Sequence, residues 1–188
     1  MANILVIGDS QAGIPGAAAK RELRARGHTV THIYHEGQSP AVYANKSGPL
    51  WAEYARNARG KDAILLVFGG NPTRTPEALV TALTTLKEDV HPPVLLSGPP
   101  MYTVAADQAA GAQIRSINMR VFTGDRFIDA WPSTPVSIPR ASPGNRHFSA
   151  TGAAGWGRAM ADGVERFLAS SPPAPNTGGG GGTALGPH

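Results

Sequence analysis

The chain contains no cysteine, and it also lacks long apolar runs. The first absence excludes disulfide bonds and thiol catalysis. None of the apolar runs approaches the roughly 18 residues that a membrane-spanning helix needs, and no charged and apolar leader precedes the first predicted strand. We therefore expect no membrane segment and no signal peptide, which would place the protein in the cytoplasm or in an assembled particle.

Charge is scarce as well, and it is only mildly basic. Charged residues make up 16% of the 188 positions, and 17 lysines and arginines against 13 acidic residues give a net charge of +4. The basic residues form no long run, so nucleic acid is not predicted as a partner. With 41% hydrophobic residues, the composition is typical of one globular domain with a sizeable core.

Short apolar runs alternate with helical patterns along the chain. Because strands that alternate with helices form parallel sheets covered on both faces, we predict an α/β domain over residues 1–170. The predicted strands are residues 4–7, 28–34, 62–68, 93–97 and 126–129, and the predicted helices are residues 14–26, 50–58, 75–90, 104–120 and 149–168. Residues 171–188 are rich in proline and glycine, so we predict that they form a tail outside the core.

Three of the predicted strands end in polar turns. Gly8-Asp9-Ser10 follows the first strand, residues 37–39 (Gly-Gln-Ser) follow the second, and residues 69–71 (Gly-Gly-Asn) follow the third. His147 precedes the last predicted helix. Ligands bind at the carboxyl ends of the strands in open parallel sheets, so we expect these residues to meet at that edge.

These residue types suit nucleophilic catalysis. A serine hydroxyl is a weak nucleophile until a base removes its proton, and a neutral His147 could do that for Ser10 near pH 7. The Ser10 N–H, the Gly37 N–H and the Asn71 side-chain amide could then hold the oxyanion. Taken singly, each residue has a plainer interpretation, in which Asp9 and Ser10 cap a helix and Asn71 serves a turn.

Taken together and in this order, the motifs resemble those of the SGNH (GDSL-type) hydrolase family over about residues 3–168. Ser10 matches the family's nucleophile, Gly37 and Asn71 match its oxyanion-hole residues, and His147 matches the histidine of its last motif. The resemblance implies a three-layer α/β/α, flavodoxin-like fold with about five parallel strands in the order 2-1-3-4-5. It also implies serine ester hydrolysis without a cofactor, on a small acyl ester such as an O-acetyl group of a glycan.

One departure from the family pattern concerns the second motif, whose glycine usually supplies an N–H to the oxyanion. Gly37 is the candidate here, but the register of residues 37–40 is loose. If the family position falls on Pro40 instead, that donor does not exist, because proline has no N–H.

A second departure concerns the catalytic carboxylate. The family's last motif is usually Asp-x-x-His, and Gly144 stands where the aspartate is expected. Without it, His147 loses the partner that fixes its tautomer, which can cost orders of magnitude in rate. Candidates to orient the imidazole instead are Ser142, Asn145 and main-chain carbonyls of the same loop, whereas Asp129 is expected to cap or pack.

A different class of function stays open beside the enzyme. The chain could be a non-catalytic SGNH-like module with a structural or binding role in a larger assembly, such as a phage particle, where a protein partner would order the tail. Nucleotide binding is disfavoured, because residues 8–13 lack the middle glycine of the dinucleotide fingerprint. His32 and His35 stand three apart, but no cluster of further ligands completes a metal site.

The missing carboxylate generates a prediction. Gly144→Asp should raise the rate of hydrolysis of a short-chain activated ester, because it restores the partner that orients the imidazole. The measurement compares kcat of the two proteins on the same ester. A rate that stays unchanged or falls would mean that this loop does not follow the family geometry.

Overall fold

Five parallel strands form one sheet in a computed structural model that describes residues 1–69, 71, 73, 75–142 and 146–170. The order across the sheet is β2-β1-β3-β4-β5, and every neighbouring pair is parallel. This confirms the predicted fold class and strand order. The strands are β1 (Asn3–Gly8), β2 (Thr29–Tyr34), β3 (Ala63–Val67), β4 (Val94–Ser97) and β5 (Phe127–Ile128).

Helices cover both faces of the sheet, which makes three layers. Helices α1 (Ile14–Ala25) and α6 (Ala150–Ser170) contribute to the core on one face. The core on the other face receives side chains from four helices, which are α2 (Pro40–Tyr43), α3 (Pro49–Ala58), α4 (Pro76–Glu88) and α5 (Ala105–Val121). Among the described residues, no helix is long and apolar enough to cross a membrane.

Strand β1 shows why the central strands are apolar throughout. Ile4 and Val6 belong to the core on the α1–α6 face, whereas Leu5 and Ile7 belong to the core on the opposite face. All four side chains are fully buried. Successive residues of a strand point to opposite faces, so a strand covered by helices on both sides needs apolar residues at every position.

Most element boundaries agree with the sequence to within one or two residues. The predicted start of the last helix is confirmed, since the Ser149 hydroxyl accepts a hydrogen bond from the Gly152 N–H at 3.1 Å. The sequence predicts no helix between β2 and α3, and this is wrong, because the four-residue helix α2 begins at Pro40. One turn of helix is too short to show a hydrophobic period. The predicted tail, residues 171–188, lies outside the described residues.

Close packing of α1 on α6 depends on Gly157, which is fully enclosed. A methyl group added at Gly157 would lie 2.4 Å from Ala18 Cβ and 2.8 Å from the Ala18 carbonyl carbon. Gly155, two residues earlier in the same helix, is exposed and its added methyl would approach nothing nearer than 3.5 Å. The two glycines therefore differ in packing but not in secondary structure.

Gly157→Ala should lower the free energy of unfolding by about 1–3 kcal/mol, because the helices must move apart to admit the methyl group. Gly155→Ala is the matched control, and it should stabilise the protein by about 0.5–1 kcal/mol through helix propensity. Urea denaturation of both variants measures the difference. Equal stabilities of the two variants would contradict this account of the α1–α6 contact.

Candidate functional site

The candidate site begins where β1 ends, at Gly8. A methyl group at Gly8 would lie 1.9 Å from the Val67 carbonyl oxygen, so only glycine allows β1 and β3 to approach this closely. The chain then turns into a short 3-10 helix, Ser10–Ala12, with Asp9 at its N-cap. This turn places Ser10 at the carboxyl edge of the sheet, between the end of β1 and the start of α1.

Ser10 and His147 lie in hydrogen-bond contact. His147 Nε2 is 2.8 Å from Ser10 Oγ, although the two residues are 137 positions apart in sequence. Ser10 is partly buried, whereas His147 is exposed. A neutral imidazole that carries its proton on Nδ1 can accept the serine proton at Nε2. The distance is therefore suited to proton transfer between a nucleophile and a base.

The buried carboxyl group of Asp9 connects the Ser10 turn to the segment that follows β3. One oxygen, Oδ1, accepts a hydrogen bond from the Gln11 N–H at 2.8 Å. The other, Oδ2, accepts from the Gly69 N–H at 3.2 Å, the Asn71 N–H at 3.3 Å and Asn71 Nδ2 at 3.4 Å. Asp9 thus caps the turn, as its plainer interpretation predicts, and it also binds Asn71 after β3.

Asp9 also settles which end of the Asn71 amide faces it. A carboxyl oxygen that already accepts from two main-chain N–H groups favours a donor as its next neighbour, and Nδ2 is the donor of the amide. Since Nδ2 carries two hydrogens, one can point to Asp9 while the other remains for a second acceptor. Gly70, the second glycine of the Gly-Gly-Asn motif at residues 69–71, lies outside the described residues.

Gly37 lies in the exposed turn after β2, the strand that borders β1. Its φ of +72° is in the left-handed region that favours glycine. Pro40, the alternative position of the motif, is buried at the start of α2. Helix α2 supports the end of β1, because the Tyr43 hydroxyl donates to the Gly8 carbonyl at 2.6 Å. The N–H of Gly37 stays a predicted oxyanion donor.

The segment around His147 is anchored by its neighbours. Phe148 is fully buried and packs edge-on against Trp156, with ring centroids 5.6 Å apart. The guanidinium of Arg140 lies over the Phe148 ring, 3.8 Å from its centroid. Arg140 also pairs with Phe148 in an isolated antiparallel bridge. These contacts position the main chain on the C-terminal side of the histidine.

Asp129, the last acidic residue before the segment that carries His147, is already engaged in other contacts. Asp129 Oδ1 accepts from Arg115 Nε at 2.9 Å and from the Trp131 N–H at 3.2 Å. Burial opposes ionisation of Asp129, but the hydrogen bonds from Arg115 and from the Trp131 N–H outweigh it and hold the pKa of this carboxyl group below its usual value. Asp129 therefore caps and pairs, as expected, while Gly144 and Asn145 lie outside the described residues.

His32 lies in β2 and His35 follows it directly, and each side chain contacts another group of the protein. His32 Nε2 is 2.6 Å from the Ala12 carbonyl, so it carries the proton and donates to the turn that holds Ser10. Burial lowers the pKa of His32, which keeps the ring neutral near pH 7. His35 Nε2 lies 2.6 Å from Glu53 Oε2. Within the described part of the chain, no group of three or more His, Asp or Glu side chains could hold a metal ion.

Comparison with known proteins supports the fold through structure alone. No protein-family model and no curated protein sequence matches the chain. A protein from Slackia heliotrinireducens, assigned as an SGNH hydrolase, superposes with a TM-score of 0.64 at 16% identity, covering 86% of this chain and 98% of the other. The chain has the SGNH hydrolase fold.

Two carbohydrate-active enzymes have structures similar to this SGNH fold. An acetylxylan esterase from Geobacillus stearothermophilus superposes with a TM-score of 0.66 at 13% identity, covering 87% of this chain and 94% of the other. A carbohydrate esterase of family 3 from Talaromyces cellulolyticus superposes with a TM-score of 0.67 at 11% identity, covering 92% and 100%. The SGNH fold here therefore spans nearly the full length of these neighbours.

Several residues near the site were not predicted from the sequence. They are Gln11 and Asp107, which bind the segment before His147, together with Arg140 and Tyr43. The only sequence signal for Gln11 is its place directly after Ser10, where it is a polar residue that becomes fully buried. Asp107 and Arg146 are 39 positions apart, so no local pattern links them.

Asp9→Ala should destabilise this SGNH fold by about 2–4 kcal/mol, because several N–H groups would lose their acceptor in a buried position. Asp125→Asn is the control, since Asp125 is exposed and should change stability by less than about 0.5 kcal/mol. Urea denaturation measures both. A loss in Asp9→Ala no larger than in the control would show that the Asp9 hydrogen bonds do not hold the site together.

Proposed function

We propose that the protein is a serine ester hydrolase that acts through Ser10 and His147. The 2.8 Å approach of His147 Nε2 to Ser10 Oγ is the observation that supports this most directly. It joins a nucleophile to a base at the distance that proton transfer requires. The SGNH fold of the chain agrees with such a role, since the esterase neighbours have the same fold.

In the first step, Ser10 Oγ attacks the carbonyl carbon of the ester while His147 Nε2 takes the hydroxyl proton. The tetrahedral intermediate then collapses and the bond to the alcohol oxygen breaks. His147 gives its proton to that oxygen, so the alcohol leaves neutral. The acyl group remains as an ester of Ser10.

In the second step, a water molecule attacks the acyl carbon and His147 accepts a proton from it. The second tetrahedral intermediate collapses, the bond to Ser10 Oγ breaks, and His147 returns the proton to the serine. The products are the carboxylic acid and the original enzyme. Both steps need the same base, so Ser10 and His147 act as one unit.

The negative charge of both intermediates needs donors that are already in place. The Ser10 N–H and the second hydrogen of Asn71 Nδ2 are the donors we assign to it, with the Gly37 N–H as a third. Asp9 supports this assignment, because it binds Asn71 Nδ2 at 3.4 Å and so holds the donor end of the amide at the turn that carries Ser10. A donor held in advance stabilises charge without reorganisation during the reaction.

For the substrate we propose a small acyl ester, and within that class an O-acetyl group of a glycan. The acetylxylan esterase and the family 3 carbohydrate esterase among the structural neighbours support this choice. Ser10 is partly buried and His147 exposed, which agrees with an ester carried on the surface of a larger molecule.

The test is hydrolysis of p-nitrophenyl acetate and of acetylated xylan by the full chain. Ser10→Ala should abolish turnover and His147→Ala should nearly abolish it, and the double variant should lose no more than Ser10→Ala because both residues serve one step. Asn71→Ala should lower kcat by about 10²- to 10³-fold.

Thermal melting of each variant is the control for folding. A parent without turnover above background, or a rate that Ser10→Ala leaves unchanged, would reject the hydrolase. It would favour the non-catalytic module with a structural or binding role instead.

A further inference from the structure

The strongest unassigned feature is a hydrogen bond between the residue after Ser10 and the residue before His147. Gln11 Nε2 donates to the Arg146 main-chain carbonyl at 3.1 Å, across 135 positions of sequence. Gln11 is itself fixed, because its own N–H donates to Asp9 Oδ1. The bond therefore joins the two chain segments that must lie next to each other for Ser10 to meet His147.

The oxygen of the Gln11 side-chain amide indicates that the hydrogen bond to Arg146 explains why a glutamine stands at this position. Gln11 is fully buried, and its Oε1 has no hydrogen-bond partner among the described residues. A buried acceptor without a partner costs stability, whereas an apolar side chain of the same shape would avoid that cost. Glutamine at this position is therefore poorly explained by packing alone, and its N–H donor is the property that an apolar residue lacks.

Other contacts of this segment run to the helices. The Arg146 side chain pairs with Asp107 in the first turn of α5 through Nε and Oδ2 at 2.9 Å. Phe148, on the other side of His147, is anchored to Trp156 in α6. These contacts hold the segment to the helices, while Gln11 ties it to the turn that carries Ser10.

We propose that Gln11 is a positioning residue that sets the approach of His147 to Ser10. This proposal rests on the hydrolase function proposed above. Gln11 touches neither substrate nor the transferred proton, and it acts by holding the main chain beside each of the two reacting side chains. A misplacement of about 1 Å can cost about 100-fold in rate, so losing this hydrogen bond should lower kcat more than it alters KM.

The test replaces Gln11 by methionine, which keeps the length of the side chain and removes both polar atoms. Gln11→Met should lower kcat for p-nitrophenyl acetate by about 10- to 100-fold and change KM by less than about 3-fold. Its melting temperature should stay within about 2 °C of the parent or rise, because the unpartnered Oε1 is removed as well. A merely structural role would lower the melting temperature together with the activity.

Asn118→Leu is the matched control. Asn118 is also buried, its Nδ2 donates to a main-chain carbonyl, that of Gly98, at 2.9 Å, and its Oδ1 has no partner among the described residues. This variant removes the same kind of group from α5 and should keep kcat within about 3-fold of the parent.

Amide hydrogen exchange supplies a readout that needs no turnover. The Ala141 N–H donates to the His147 carbonyl at 2.9 Å and the Ser149 N–H to the Pro139 carbonyl at 3.3 Å. Exchange at these two amides should be about 10-fold faster in Gln11→Met, and unchanged in Asn118→Leu, if Gln11 holds the segment.

The two readouts separate the outcomes. Faster exchange with a lower kcat supports the proposal. If the parent has no Ser10-dependent turnover, the hydrolase function is rejected. Faster exchange in Gln11→Met would then still support the role of Gln11 in positioning the segment that carries His147. Unchanged exchange together with unchanged kcat in Gln11→Met would overturn the proposal.

Discussion

The approach of β1 to β3 at their carboxyl ends is the constraint on which the candidate site depends. Glycine at position 8 lets the two strands come so close that even a methyl group would meet the Val67 carbonyl. The chain then turns at once, and the buried carboxyl group of Asp9 accepts hydrogen bonds from both strand ends. The serine turn and the asparagine segment thus form one hydrogen-bonded unit, because a single buried carboxyl group accepts from N–H groups of both.

The histidine reaches this unit in a different way. Ser10 and Asn71 follow adjacent central strands, so the sheet itself places them side by side. His147 lies in an exposed segment after β5, the strand at the far edge of the sheet, and must be brought back across it. Long-range contacts hold this segment in place. They join Gln11 to Arg146, Arg146 to Asp107, and Phe148 to Trp156 and Arg140. The base is therefore positioned by long-range side-chain contacts, whereas the nucleophile and the asparagine follow adjacent strands and are joined by the Asp9 carboxyl group.

Stability and chemistry place different demands on the residues around Ser10. The core on both faces of the sheet is apolar and fully buried, which is what stability favours. Directly after Ser10, by contrast, Gln11 Oε1 is buried without a hydrogen-bond partner among the described residues. Proteins tend to depart from good packing rules at functional sites, where a residue is retained for its chemistry or its geometry.

The sequence by itself determined the parallel sheet, the positions of its strands and the polar turns at their ends. Apolar runs without alternation are required wherever a strand is covered on both faces, and this local signal is readable without coordinates. It did not reveal helix α2, because one turn shows no period, nor the pairing of Gln11 with Arg146 or of Arg146 with Asp107. Those contacts join residues 135 and 39 positions apart. Only the tertiary structure decides such distances, because they follow from how the layers pack and not from any pattern along the chain.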